Sequence, residues 1–568
     1  MAILEKPKRY FLPENLNIDD WQKLEPFFED LKNRTIDSKS DLEKWLKDLS
    51  ELEAVVEEDE AWRYIKMSIN TSEEKLRDRY NFFVSEIQPQ IAPYSYEFDL
   101  KLVNSKFLKD LNWDVFEIPI KRAQKNIEVF RKENIPLISE LQTKAQEFGA
   151  INAEMEVEVN GEKVTMQKAG SLLKDTNSDF RKEIFEKIGQ ERFKNSDALD
   201  DLFDVLIQKR HQLALNAGFK NYRDYMFAAM QRFDYTPEDC FNFHNSVETQ
   251  LVPILNDLAL ERKKKLGVED LKPYDLAVDP NQLPPLKPFE GADQLVAKTV
   301  ASFSKLDSYF SDCISNMKEL GHLDLESKKG KAPGGYNYPL YEIGVPFIFM
   351  NAVGTVRDLV TMVHEGGHAI HSFLSRDLEL TSFKSLTSEI AELASMSMEL
   401  LSMEHWDAFF ENQEDLKRAQ QEHLEDVLST LPWIALIDKF QHWIYENPSH
   451  TREDRHEKWL ELHARFSNNI VDWSGYENFR KTMWQKQLHL FEVPFYYIEY
   501  GIAQLGAIAV YRNYKINKEK AISEYKTALS LGYTKSIDKV FETAGVKFDF
   551  SKDYIKELAS FIQSELKN

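Results

Sequence analysis

A chain of 568 residues with 42% hydrophobic and 12% aromatic content can bury one very large core or several domains, and disorder is excluded. The formal charge of −23 and pI near 5.2 exclude the basic patches that binding to nucleic acid or to an anionic membrane requires, so the acidity reads as solubility. Only Cys240 and Cys313 are present, the opening Met1-Ala-Ile-Leu-Glu-Lys-Pro-Lys lacks the apolar core of a leader, and no run approaches about 18 apolar residues, so a cytoplasmic protein is expected.

Long amphipathic helix, rich in Leu, Glu, Lys and Phe, dominates the chain. The first departure is Glu156-Val-Glu-Val-Asn160-Gly161-Glu-Lys-Val-Thr165, which alternates around an Asn-Gly pair and predicts a β-hairpin. Thr236-Pro-Glu-Asp239 caps a helix expected to run to Gly267, bent by Pro253. Its Arg262-Lys-Lys-Lys265 run reads as a solvated C-terminus favoured by the helix dipole. The proline-rich stretch 272–291 reads as a surface loop or a connection between lobes. Residues 336–350 are aromatic and β-branched and predict strands. Such a strand could take an extended peptide by edge addition, or belong to an ordinary buried hairpin.

Thr355-Val-Arg-Asp358 is a capping box that opens the next helix about two turns before His364. Within it, Thr361-Met-Val-His364-Glu365-Gly-Gly-His368 sets two histidines at i and i+4, on one helix face, where they can chelate zinc. Glu365 then stands beside the ion, placed to take a proton from a water that the metal polarises. This is the HExxH pattern of zinc peptidases. Apolar flanks, Leu359 to Val363 and Ala369, Ile370, Phe373 and Leu374, predict a largely buried helix. Burial there would cost roughly 2 to 7 kcal/mol for each polar group left without a partner. Gly366 and Gly367 should each cost about 1 kcal/mol relative to alanine, which predicts close approach of another backbone or a substrate.

A hydrolytic zinc site needs a third protein ligand. His371 shares the face but lies i+7 from His364, about 10.5 Å along the axis, too far for bonds of about 2 Å; it reads as structural. The metzincin pattern is excluded because His371 stands where that motif wants glycine and Leu374 where it wants histidine. The carboxylates of Glu389, Glu392 and Glu399 share one face of a helical segment that begins at Thr387 or Ser388, among alanine, serine and methionine rather than lysine. Spacing does not choose among the three. The last segment of note, 484–500, gathers aromatic residues around His489. By composition alone such a cluster is core.

Several blocks together resemble the thimet oligopeptidase and oligoendopeptidase F peptidases, most closely the oligoendopeptidase F branch. They are Gly334-Gly-Tyr336, Gly344-Val-Pro-Phe-Ile-Phe-Met-Asn351, Gly354-Thr-Val-Arg-Asp358, the HEGGHAIHSF run, Ala391-Glu392-Leu-Ala-Ser395, and His489 with Pro494-Phe-Tyr-Tyr-Ile-Glu-Tyr500. The resemblance spans about residues 330 to 510, with weaker likeness in Asn216–Tyr222 and Tyr274–Leu276. Gly366 departs from the bulky residue common at its position in the family. The resemblance implies a mostly α, two-lobed helical metallopeptidase with a deep central channel and a small β element next to the zinc helix. The expected division is an N-terminal helical lobe, 1–180, and a catalytic region, 181–568. It further implies one Zn2+ per chain held by His364, His368 and Glu392, with Glu365 as general base. His489, Tyr497 and Tyr500 would serve as oxyanion donors, Tyr496 being the alternative because the His-to-Tyr step is one residue shorter than in thimet oligopeptidase. The expected substrates are short peptides cut at internal bonds, with no nucleic-acid or membrane partner. Carboxypeptidase or peptidyl-dipeptidase activity, or peptide binding without catalysis, are the alternatives on the same scaffold.

Overall fold

Capping and turn chemistry place the elements that matter for the site. The structure, a computed structural model, describes residues 4–332 and 334–567; Met1–Ile3, part of the stretch read for a leader, lie outside the described residues. Helix α1 (Lys39–Ile69) starts where Ser38 accepts from the Asp41 amide. The predicted hairpin forms from β1 (Glu156–Val159) and β2 (Glu162–Thr165), with Asn160 and Gly161 at φ 53° and 84°. Positive φ at both turn residues is what an Asn-Gly turn supplies. The Thr236 box starts α2 (Pro237–Gln250), but the helix does not continue bent to Gly267 as expected. It breaks at Leu251, and Pro253 falls in the first turn of a separate helix, α3 (Val252–Leu266), where proline's missing N–H costs nothing. Gly267, at φ 67°, closes α3.

Downstream follow β3 (Leu323–Glu326), β4 (Tyr336–Tyr338), β5 (Phe347–Ala352), α4 (Val356–Ser375), α5 (Ser388–Met403) and α6 (Gln413–Glu446). Then come α7 (Tyr497–Ile516), α8 (Lys518–Ser530) and α9 (Ile537–Thr543). The fold is mostly α, and no helix among the described residues is long and apolar enough to cross a membrane.

The chain forms two units. Unit 1 comprises Met1–Glu128, Leu286–Gln420 and Ala503–Phe548. One of its cores joins Leu42 and Trp45 of α1 to Leu24, Phe28, Phe98, Leu380 and Phe383. Its sheet has the order β3-β5-β4. β5 is the centre, buried from Phe347 to Met350; β3 runs parallel to it, and β4 runs antiparallel as a half-buried edge with Tyr336 opposite Phe349. The strands expected in 336–350 are therefore present, while β3 and its parallel pairing left no mark in the sequence. β5 leads through Gly354, at φ 94°, into α4. α4 and α5 pack on each other and on α8, and α5 also meets α9. Tyr525 of α8 donates a buried hydrogen bond, 2.7 Å, to the Ala394 carbonyl of α5.

Unit 2 comprises Val129–Pro285, Gln421–Ile502 and Asp549–Asn568. It contains the β1–β2 hairpin, which buries Val157 and Val159 against Ala169 and Ile184. It also contains α2, α3 and most of α6.

Candidate metal centre

The capping box that opens α4 forms as expected. Asp358 N donates to Thr355 Oγ1 at 3.2 Å, and Thr355 N donates to Asp358 Oδ2 at 2.8 Å. These bonds fix the helix start, and the apolar flanks bury Leu359, Met362, Val363, Ala369 and Ile370 completely. The glycine pair has a clear physical reason. A Cβ on Gly367 would stand 2.6 Å from Ser395 Cα and 2.8 Å from the Ala394 carbonyl, and one on Gly366 would stand 2.9 Å from the Phe303 ring. Gly367 thus lets the backbones of α4 and α5 touch where the ligand candidates face each other.

At that crossing the carboxylate of Glu392 meets both histidines. Glu392 Oε2 lies 3.3 Å from His364 Nε2 and 3.8 Å from His368 Nε2, and the donor atoms of all three residues fall within 4.8 Å of one another. Donors around a tetrahedral zinc with bonds of about 2.0 to 2.1 Å stand roughly 3.4 Å apart, so the spacing fits the ion. The other side of His364 is also fixed: its Nδ1–H donates to Glu399 Oε1 at 2.6 Å, which aims Nε2 toward Glu392. A carboxylate behind a ligating imidazole is the usual way of setting its tautomer. Ser395 Oγ lies 2.9 Å from Glu392 Oε2 and steadies that oxygen. Of the three acids that spacing left equal, Glu392 joins the cluster and Glu399 backs His364. Glu389 is buried but lies outside the cluster. His371 lies outside it too; burial drives its imidazole down to about 3, so it is a neutral core residue.

The charges suit a cation. Glu365, Glu392 and Glu399 surround two imidazoles. Burial works against a charge on His364, but the Glu399 hydrogen bond and the nearby carboxylates outweigh it and push its pKa up to about 10. His368 moves the opposite way, held well below its usual value by burial, then by His364 and His371. Glu365, 7% exposed, is raised to about 7 by burial, opposed by His364 and reinforced by Glu392 and Glu399. Asn337 of the edge strand β4 donates to the Glu365 carbonyl at 3.2 Å, tying strand to helix at the motif. The roles of Ser395 and Asn337 escaped the sequence reading, since only the packing of α5 and β4 on α4 brings them there.

The aromatic segment of unit 2 separates into two kinds of residue. Trp484, Phe491 and Phe495 are fully buried, whereas His489, Tyr496, Tyr497 and Tyr500 are half-buried and grouped. The His489 ring centroid lies 4.8 Å from that of Tyr497, 5.9 Å from Tyr500 and 6.0 Å from Tyr496. Gln487 Nε2 donates to His489 Nδ1 at 2.7 Å and its Oε1 accepts from Trp433 Nε1 at 3.1 Å, which leaves His489 Nε2 to carry the ring proton. Burial lowers His489 to about 4 and raises Tyr497 to about 12, where hydrogen bonds from Trp433 and Gln487 moderate the rise. Both are therefore neutral hydrogen-bond donors at pH 7.

Comparison with known proteins gives the family of the chain. Residues 171–560 match Peptidase family M3, and residues 11–130 match the Peptidase M3 N-terminal domain. The chain belongs to peptidase family M3. Among its relatives, the Oligoendopeptidase F homolog of Borreliella burgdorferi is 27% identical over 408 residues, covering 68% of this chain and 65% of that protein. Oligopeptidase PepF of Bacillus subtilis is 23% identical over 397 residues, covering 68% and 57%. The chain thus spans about two thirds or less of the length of these curated relatives. Over the whole fold it is similar to PZ peptidase A, solved with inhibitor 2, at a TM-score of 0.90 and 26% identity, covering 98% of both chains. The M3 chain described here shares with that structure a mostly helical fold with few small sheets.

Proposed function

We propose that this M3 chain is a zinc-dependent endopeptidase that hydrolyses internal bonds of short oligopeptides. His364, His368 and Glu392 hold one zinc at this centre, and Glu365 is the general base. One observation carries the reading: two imidazoles and a carboxylate converge at zinc-like spacing, with a second, non-ligating carboxylate beside His364, in a peptidase family. The relatives' names, oligoendopeptidase and oligopeptidase, support cleavage within short peptides.

Zinc held there supplies Lewis acidity, polarising the scissile carbonyl and lowering the pKa of a water toward about 7. Glu365 takes the proton of the attacking water and delivers it to the leaving nitrogen. Glu399 holds the His364 ring in place throughout. Tyr500 and His489, with Tyr497 beside them, donate hydrogen bonds to the carbonyl oxygen as it gains charge. The edge strand β4 pairs with the substrate backbone, which gives binding tolerant of sequence. No covalent enzyme intermediate forms.

Peptides blocked at both ends provide the test. The expected result is internal cleavage that stops on chelation and returns with zinc. Cleavage confined to peptides with an open C-terminal carboxylate would assign an exopeptidase instead, and cleavage indifferent to chelation would refute the metal reading.

A further inference from the structure

Unit 2 contains a second cluster of metal-ligating residue types, outside every M3 motif named above. α2 carries Cys240 and His244 one turn apart, and α6 carries Asp438 and His442 one turn apart, so each pair shares a helix face. The two faces meet. Cys240 Sγ, a carboxylate oxygen of Asp438 and a ring nitrogen of His442 lie within 4.8 Å of one another. His244 Nε2 donates to Asp438 Oδ2 at 2.7 Å, and His442 Nε2 lies 3.3 Å from the same oxygen. All four side chains are at most 1% exposed. Gln441 pins the carboxylate, donating to Asp438 Oδ1 at 2.8 Å while its own Oε1 accepts from Phe495 N at 2.7 Å.

A buried polar network accounts for Asp438, Gln441 and the Nε2 of His244, whose Nδ1 is left without a hydrogen-bond partner. It does not explain His442. Its Nδ1 has no hydrogen-bond partner, and its Nε2 meets only the Asp438 carboxylate, at 3.3 Å and as an electrostatic contact rather than a well-formed hydrogen bond. The rings of Phe227, Phe241 and Phe495 also pack around it and offer it no hydrogen bond. An imidazole nitrogen with no hydrogen bond, nine-tenths buried and facing a thiol and a carboxylate, is arranged as a ligand is.

We propose that unit 2 binds a second zinc ion through Cys240, Asp438 and His442, the three residues whose donor atoms converge, with His244 holding the Asp438 carboxylate through its hydrogen bond. Thiolate and imidazole donors select zinc over magnesium or calcium. Binding releases the Cys240 thiol proton to solvent, and the resulting thiolate and the Asp438 carboxylate together neutralise the divalent charge, which a dry core requires. With donors from both helices and all of them buried, the site is structural, clamping α2 to α6. The peptidase reading places one zinc in unit 1, so the expected content of the whole chain is two.

Cobalt(II) distinguishes the two sites, because the unit 1 centre has no sulfur donor. The full chain loaded with cobalt should bind two equivalents and show a near-ultraviolet thiolate-to-cobalt charge-transfer band. Cys240→Ser should lose the band and one equivalent, as should His442→Phe, which preserves the bulk of the ring. His368→Ala should lose the other equivalent and keep the band, and this arm holds even where the cluster variants fail to fold. Absence of the band in the parent protein, or its persistence in Cys240→Ser, overturns the proposal. Retention of both equivalents in His368→Ala would instead count against the ligand set proposed for unit 1.

Discussion

Glu365 and Glu392 are both buried carboxylates of one centre, yet removing each charge should have a different effect. Glu365→Gln should stay folded and metallated while kcat falls by at least about 10²- to 10⁴-fold, the usual share of a general base. Near-normal turnover in metal-replete protein would refute the role. Glu392→Ala should lose the zinc of this centre while Glu389→Ala keeps it; metal analysis with the losses reversed would move the ligand to Glu389. Tyr500→Phe removes one hydroxyl and preserves the ring, so an oxyanion donor should lose about 10²- to 10³-fold in kcat with little change in melting temperature. A structural tyrosine would instead lose roughly 0.5 to 1.5 kcal/mol of stability and keep its rate. The i, i+4 histidines and the adjacent Glu365 were readable because one helix fixes their geometry. Spacing left Glu389, Glu392 and Glu399 open, because the three share a face and differ in where α4 lies opposite each, and only the family resemblance pointed to Glu392.

The Gly366-Gly367 pair shows how an element can break a local rule for a tertiary reason. In a solvated helix, exchanging glycine for alanine stabilises, and Gly149 is such a site, with nothing within 4 Å of a Cβ. Gly149→Ala should gain roughly 0.4 to 1 kcal/mol. Gly367→Ala should lose roughly 1 to 3 kcal/mol, since its methyl would overlap the Ser395 backbone and push α5 away. Zinc affinity should fall with it; denaturant unfolding and metal competition on the two variants decide the matter. The sequence carried the conflict, two glycines inside a well-capped helix, and so announced a close approach without naming what approached. Elements with their own local chemistry, the Asn160-Gly161 hairpin and the Thr355 box, were readable outright. The parallel partner β3 depends on pairing with a distant strand and was not.

At the scale of the whole molecule, two boundaries between the units fall inside continuous helices, within α6 at Gln420 and within α7 at Ile502. No linker composition marks them, because the helical pattern runs straight through. Stability should depend on acid in a specific way through His463, 4% exposed and held down to about 3 by burial and by the charges of Arg480 and Lys486. Arg480 Nε donates to its Nδ1 at 3.0 Å, so the folded protein keeps the ring neutral. The unfolded chain takes up that proton near pH 6.5 and the folded chain only near 3. Protons therefore favour unfolding across that window, and stability should fall with decreasing pH by about 1.4 kcal/mol per unit from this residue. His463→Gln should reduce the slope of urea-unfolding free energy between pH 6 and 5 by about that amount; an unchanged slope would refute the assignment.

The threading of unit 1 has a bearing on the life of the nascent chain. α4 and α5, which carry the proposed ligands, rest on α8 and α9, and the Tyr525 hydroxyl of α8 secures the Ala394 carbonyl beside the crossing. The ribosome makes the ligand-bearing helices well before the elements that hold them together. Until α8 and α9 have emerged from the exit tunnel, the crossing that sets Glu392 against the two histidines lacks its support. The order of the elements thus makes this crossing one of the last parts of unit 1 to be completed as the chain is synthesised.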